Sequence, residues 1–251
     1  MKLLPITLCV FLVASDPGAA KSSATASTGT ILQPCVILLH GLARSPSSMK
    51  KMSKALTKSG YLVRNTEYPS TAKPVDELAS EVIPAAVESC TEEGDRTVHF
   101  VTHSMGGILI RYFLETNEID ELGRVVMLSP PNQGSEVVDK MGDVPGYMAV
   151  NGPAGQQLGT DEESVPLQLG PATFDVGIIT GDRSINLFLS AMIPGDDDGK
   201  VSIERAKLEG MADFLVVHHS HPFIMKKDLV IQQVLYFLEH GRFEVDEQHS
   251  D

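Results

Sequence analysis

The sequence predicts an α/β fold, a mostly parallel central sheet of about six strands with helices on both faces. Two observations predict it. Short continuous runs of Val, Ile and Leu recur along the chain, as in strands covered on both sides. Between them lie longer segments with apolar residues at helical spacing, and such alternation returns each strand parallel to the last. A third observation locates the chemistry. The run Val98-His99-Phe100-Val101 leads directly into Thr102-His103-Ser104-Met105-Gly106-Gly107, a strand that turns into a helix at a serine.

In chain order, the strand candidates are residues 35–40, 61–67, 98–103, 125–129, 176–180 and 214–217. The first helical pattern, 48–59, sets Met49, Met52, Ala55 and Leu56 on one face. Residues 75–90 follow, with Pro84 expected to kink them. The segment 106–116 carries Ile108, Leu109, Tyr112 and Phe113, and 228–240 carries Leu229, Val230, Val234, Leu235 and Leu238. Residues 141–174 break the rhythm, being rich in Gly, Pro and Gln without a clean period. They are too short and too polar for a large helical cap, so a minimal lid over a partly open cleft is expected.

Residues 1–20 read as a signal peptide: Lys2 starts it, 3–13 are apolar, and Gly18-Ala19-Ala20 offers small residues for cleavage. The apolar stretch is too short to span a bilayer. Residues 21–30 read as a flexible leader, 31–243 as the folded domain and 244–251 as an acidic tail. The protein is therefore expected to be exported, periplasmic or secreted. Loss of the leader removes Cys9 and leaves Cys35 and Cys90 in a compartment that permits disulfides.

Charge excludes some partners. With 33 acidic against 20 basic residues, net −13, no basic face is expected to neutralise nucleic-acid phosphates. The same balance opposes electrostatic docking on anionic lipid, and no amphipathic segment reads as a stable membrane anchor. The sequence leaves oligomeric state open. Lys51-Met52-Ser53-Lys54 matches a signature of aminoacyl-tRNA synthetases, but it has no companion motif and reads as chance.

A serine on such an elbow is a nucleophile only beside a base, which in turn needs an orienting acid. Four carboxylates compete for the acid, Asp182, Asp196, Asp197 and Asp198. In Asp198-Gly199-Lys200-Val201 the apolar residue three places on can plug into the core and aim the carboxylate inward, which favours Asp198, then Asp197. His218, His219 and His221 compete for the base. His221 sits where the chain turns towards the last helix and is favoured, with His219 second. The three histidines lack regular metal-ligand spacing and cysteine partners. The adjacent aspartates lack the spacing of a calcium loop, so no metal is expected. Arg44 has two readings, a contact to a substrate carboxylate or phosphate, or a solvated surface residue.

From residue 35 to 243 the chain resembles the α/β-hydrolase superfamily, specifically its small secreted bacterial esterase/lipase-like members. The residues that carry the resemblance are His40-Gly41-Leu42, His103 to Gly107, Ser129-Pro130-Pro131-Asn132-Gln133-Gly134-Ser135, Asp198 to Val201, and His221. It implies the chain order serine, acid, histidine, and so a Ser104–Asp198–His221 triad. It implies an oxyanion hole of the Leu42 and Met105 N–H groups, with His40 and Gly41 in the oxyanion turn. His103 then flanks the elbow, and Gly106 lets the helix approach closely. It makes strands 35–40 and 98–103 neighbours, which implies a Cys35–Cys90 disulfide at the amino edge of the sheet. Thr102 departs from the motif, standing where its first glycine falls. The implied activity is hydrolysis of a small-molecule or lipid ester through an acyl-enzyme, without metal or organic cofactor. A thioesterase or acyltransferase with the same triad, or a catalytically silent binding protein on this scaffold, are the alternatives.

Overall fold

In the computed structural model, residues 32–142, 144, 146–185, 190–191 and 193–244 are described. The expected signal peptide and leader, and the tail beyond Glu244, lie outside the described residues. Six strands, β1 (Cys35–Leu39), β2 (Leu62–Thr66), β3 (Val98–His103), β4 (Leu122–Leu128), β5 (Val176–Gly181) and β6 (Asp213–Val217), form one sheet. Their order is β2-β1-β3-β4-β5-β6, and every neighbouring pair is parallel.

The alternation of side chains along the central strands sorts the core into two faces. Ile37, Leu39, Phe100, Val125, Met127 and Ile178 point to one side, against α2 (Val75–Thr91) and α3 (Met105–Thr116). Val36, Leu38, Val101, Val126, Leu128 and Ile179 point to the other, against α1 (Lys50–Lys58) and the last helix, α8 (Asp228–His240). Both faces being covered explains why the central strands read as unbroken apolar runs. The edge strand β2 is only half-buried, and its Arg64 and Asn65 reach the Ser89 and Pro46 carbonyls (2.8 and 2.9 Å).

Four local departures from the sequence expectations stand out. β4 begins at Leu122, three residues before the apolar run that announced it. Here the β3–β4 register shifts between Val98 and Phe100, and the Arg124 N–H bonds the His99 ring Nδ1 at 2.8 Å. Pro84 leaves α2 unbroken, because it and Ser80, whose carbonyl loses its partner, both face solvent. After β4 comes α4 (Glu136–Met141), the aperiodic stretch 141–174 carries α5 (Tyr147–Gln156) and α6 (Val165–Gln168), and α7 (Ile203–Ala206) precedes β6. Gly152, at φ 64° and ψ −168°, breaks α5 just before Pro153 and erases its period. The first helical pattern opens as a 3-10 turn, Pro46–Met49, before α1.

Cys35, the first residue of β1, is disulfide-bonded to Cys90 in the last turn of α2, with Cα atoms 5.8 Å apart. The opposite, carboxyl edge carries the loops after β1, β3, β4, β5 and β6. The strand order reverses between β1 and β3, the switch point at which parallel sheets open a ligand crevice. Among the described residues no helix is long and apolar enough to cross a membrane.

Candidate active site

Among the described residues, three non-glycine residues have positive φ: Ala43 (52°), Ser104 (52°) and Ser129 (49°). They lie in the loops leaving β1, β3 and β4, so local backbone strain gathers at the switch-point edge. Ser104 is the N-cap of α3 and stands at the turn from β3, largely buried. Its turn depends on close packing. A Cβ on Gly106 would come 2.8 Å from the Leu39 carbonyl oxygen and 2.9 Å from Leu39 Cβ, so only glycine lets α3 approach β1. Thr102, at the end of β3 before the elbow, is fully buried.

The β1 turn closes over the elbow from the other side. A Cβ on Gly41 would meet His103 Nδ1 at 2.7 Å and Ser104 Cβ at 3.1 Å. His40 is buried, bonds the Gly41 carbonyl through Nδ1 at 2.9 Å, and stacks on Tyr68 with ring centroids 4.0 Å apart. Tyr68 Oη donates to the His40 carbonyl, and the Ala43 N–H donates to Ser70 Oγ at 3.1 Å. These contacts fix the backbone around Leu42. Met105 opens α3, so its N–H has no intrahelical acceptor. Among the described residues, neither the Leu42 nor the Met105 N–H is spent on a protein acceptor.

Asp198 and His221 come together in the loops after β5 and β6. The fully buried Asp198 accepts the His221 Nδ1–H on Oδ2 at 2.9 Å. Its Oδ1 accepts the Lys200 and Val201 N–H groups, each at 3.0 Å. Val201, 1% exposed, is the plug that turns the carboxylate inward. Burial alone would raise the Asp198 carboxyl. The charge and hydrogen bond of His221, with the Val201 amide, bring it below the ordinary value. The His221 N–H also donates to the Asp198 carbonyl at 2.9 Å. With Nδ1 held by Asp198, the Nε2 edge of His221 is the one available to the cavity that Ser104 also lines. No hydrogen bond joins the Ser104 and His221 side chains, a contact that commonly tightens only with substrate bound.

The competing carboxylates and histidines have other partners. Asp197 accepts Ser190 Oγ and the Gly199 N–H, both at 2.6 Å, so it shapes the turn. Asp196 is exposed. Asp182 bonds His218 at 2.8 Å, a second Asp–His pair, but His218 is largely exposed and stands outside the Ser104 cavity. His219 also lies away from that cavity. His103 is buried against His221, rings 4.9 Å apart, and donates Nε2–H to the His221 carbonyl at 3.1 Å. Burial, then the neighbouring His221 and Arg44, hold its pKa well below the ordinary histidine value, so it is neutral.

Sequence reasoning missed the supports. Arg111, buried on α3, donates from Nη1 to the Asn132 carbonyl at 2.9 Å and from Nη2 to the Leu169 and Gly170 carbonyls, each at 3.2 Å. Ser135 Oγ donates to the Lys200 carbonyl at 2.7 Å and ties the loop after β4 to the loop that carries Asp198. A lone arginine in an otherwise apolar helix was the available signal for the first, and Ser135 closes the Ser129–Ser135 segment that carried the resemblance; Tyr68 and Ser70 gave none.

The cavity has a volume of about 310 Å³. Val137, Val138, Met141, Val150 and Leu158 make much of its wall apolar, and Arg44 and Lys200 add charge.

No protein-family model and no curated protein sequence matches this chain. Solved structures do. The mature Bacillus licheniformis lipase BlEst2 superposes with a TM-score of 0.65 at 19% identity, over 82% of this chain and 92% of that one. Aspergillus fumigatus lipase B gives 0.60 at 14% identity, over 83% and 53% of the two chains. The metagenomic carboxyl esterase MGS0156 gives 0.58 at 18% identity, over 83% and 70%. At these identities the likeness shows the α/β-hydrolase fold, shared with lipases and esterases.

Proposed function

We propose that this α/β-hydrolase-fold chain is a serine hydrolase that cleaves carboxylic esters with the triad Ser104–His221–Asp198. The observation that carries the reading is the buried Asp198–His221 hydrogen bond beside the cavity into which the strained Ser104 turn opens. Asp198 holds the Nδ1–H tautomer, so Nε2 carries the lone pair and takes the Ser104 proton as Oγ attacks the acyl carbon. The developing oxyanion meets the Leu42 and Met105 N–H groups. His221 then passes the proton to the departing alkoxide, leaving an acyl-enzyme. Water attacks that ester, with His221 again as base, and releases the acid.

The cavity volume of about 310 Å³ stands at the lower end of the roughly 300–1,000 Å³ typical of small-molecule sites, which favours short acyl chains. The Cys35–Cys90 disulfide supports export to an oxidising compartment. The test is hydrolysis of 4-nitrophenyl esters from acetate to palmitate by the protein and by Ser104→Ala. The reading predicts a short-chain optimum and a loss of at least about 10⁴-fold in kcat in the variant. Turnover unchanged in Ser104→Ala would overturn it.

A further inference from the structure

We propose that the Ser104 cavity selects esters that bear an anionic group, a carboxylate or a phosphate, held between Arg44 and Lys200. The proposal rests on the serine-esterase reading and names its substrate class. The chain carries 33 acidic and 20 basic residues, yet the described lining of this cavity holds two cations and no carboxylate. Both cations stand where the local backbone is fixed. Arg44 follows Ala43, whose positive φ and hydrogen bond to Ser70 set the turn that presents the Leu42 N–H. Lys200 lies two residues after Asp198 and donates its own N–H to that carboxylate at 3.0 Å. The two charges are thus built onto the loops that carry the oxyanion donor and the acid.

Among the described residues, neither cation is paired with a carboxylate. The other seven arginines each have a partner: Arg64, Arg96, Arg111, Arg124, Arg183 and Arg205 in hydrogen bonds, and Arg242 over the Tyr236 ring. Among the described residues, the Arg44 guanidinium and the Lys200 ammonium have no hydrogen bond and no ion pair. They are also near enough to oppose each other. Surrounding protein lowers the Lys200 ammonium below the usual lysine value, Arg44 lowers it further, and Asp198 raises it only in part. Two like charges facing one partly enclosed cavity, with no carboxylate in its described lining, make a site for an anion. Arg44 offers a planar fork for carboxylate or phosphate oxygens, and Lys200 a point charge. The apolar wall of Val137, Val138, Met141 and Leu158 leaves room for a short hydrocarbon stem between the reacting carbonyl and that anion.

The experiment compares kcat/KM of the full-length protein for 4-nitrophenyl butyrate with two chain-matched anionic esters, mono-4-nitrophenyl glutarate and an ω-phosphonoacyl 4-nitrophenyl ester. The expected result is a preference of about tenfold or more for one or both anionic esters at low salt, shrinking as salt is added. The better of the two identifies the anion. Arg44→Gln and Lys200→Gln should each reduce the ratio of anionic to neutral kcat/KM, and Lys200→Glu should invert it. A wild-type ratio near one, or a ratio that none of these substitutions moves, overturns the proposal while leaving the esterase reading intact. Failure to hydrolyse any of the three esters, with no fluorophosphonate adduct on Ser104, overturns both.

Discussion

Asp198→Asn is the substitution that separates orienting the base from merely holding the loop. The carboxylate divides its work between its oxygens: Oδ1 takes the Lys200 and Val201 N–H groups at 3.0 Å, and Oδ2 takes His221 Nδ1–H at 2.9 Å. An asparagine must keep its carbonyl oxygen on the two amides, since turning its NH₂ towards them would set donors against donors. The NH₂ then faces His221 Nδ1 and donates to it. The imidazole must carry its proton on Nε2, the tautomer that cannot accept from Ser104. The corresponding asparagine in a serine protease lowers kcat about 10⁴-fold, roughly 5 kcal/mol of barrier, and the same order is expected here. The fold keeps both amide bonds, so thermal unfolding should move little. Asp197→Asn is the control, because that carboxylate bonds Ser190 and Gly199 rather than a histidine. It should cost about 1 kcal/mol of stability and leave ester turnover within about tenfold. Steady-state kinetics on 4-nitrophenyl butyrate, beside thermal melts of both variants, make the comparison. Asp198→Asn turning over within tenfold of the parent, or Asp197→Asn abolishing activity, refutes the assignment of the acid.

The Cys35–Cys90 disulfide closes a loop with a sequence separation of 55, for which chain entropy gives about 4 kcal/mol. Cys35→Ser/Cys90→Ser should lower the urea midpoint accordingly while leaving the fold intact, and an unchanged midpoint contradicts that. His99 supplies an acid-side dependence. It is buried in β3, accepts the Arg124 N–H, and burial followed by the Arg124 charge pushes its pKa down to about 4. Its folded pKa lies below its unfolded value near 6.5, so only the unfolded chain binds the proton between them. Stability is therefore complete above about pH 6.5 and declines as pH falls towards about 4, by about 3 kcal/mol. Urea titrations from pH 7 to 4 on the parent and His99→Gln measure it, and equal slopes for the two would sink the assignment.

Much of the fold was legible because burial on both faces writes strands as plain apolar runs. β3 stands at the expected residues 98–103, and β5 runs one residue beyond the expected 176–180. What the sequence hid was structure made by side chains acting as backbone. The start of β4 contains Gly123 and Arg124, and it joins the sheet through the His99 ring. α5 lost its period to Gly152 and Pro153. At the site, Ser104 announced itself by its place between a strand and glycines. Asp198 was favoured among the four carboxylates by the plug logic of Val201, and the buried Val201 with its N–H on Asp198 matches that logic in three dimensions. The pairing of Asp182 with His218 could not be read, since both Asp–His combinations satisfy the same chain order. Only the position of Ser104 and its cavity separates them. Arg111, Tyr68 and Ser70 act on carbonyls and amides distant in sequence, and no local pattern encodes such contacts.

The central claim is that Ser104 is the activated nucleophile. Incubating the folded protein with a fluorophosphonate and mapping the adduct by peptide mass spectrometry tests it most directly. The account predicts one adduct, on Ser104, formed quickly by the parent, slowly by Asp198→Asn, and not at all by Ser104→Ala or by unfolded protein. No adduct on the folded protein, or an adduct on another serine such as Ser129, would contradict it.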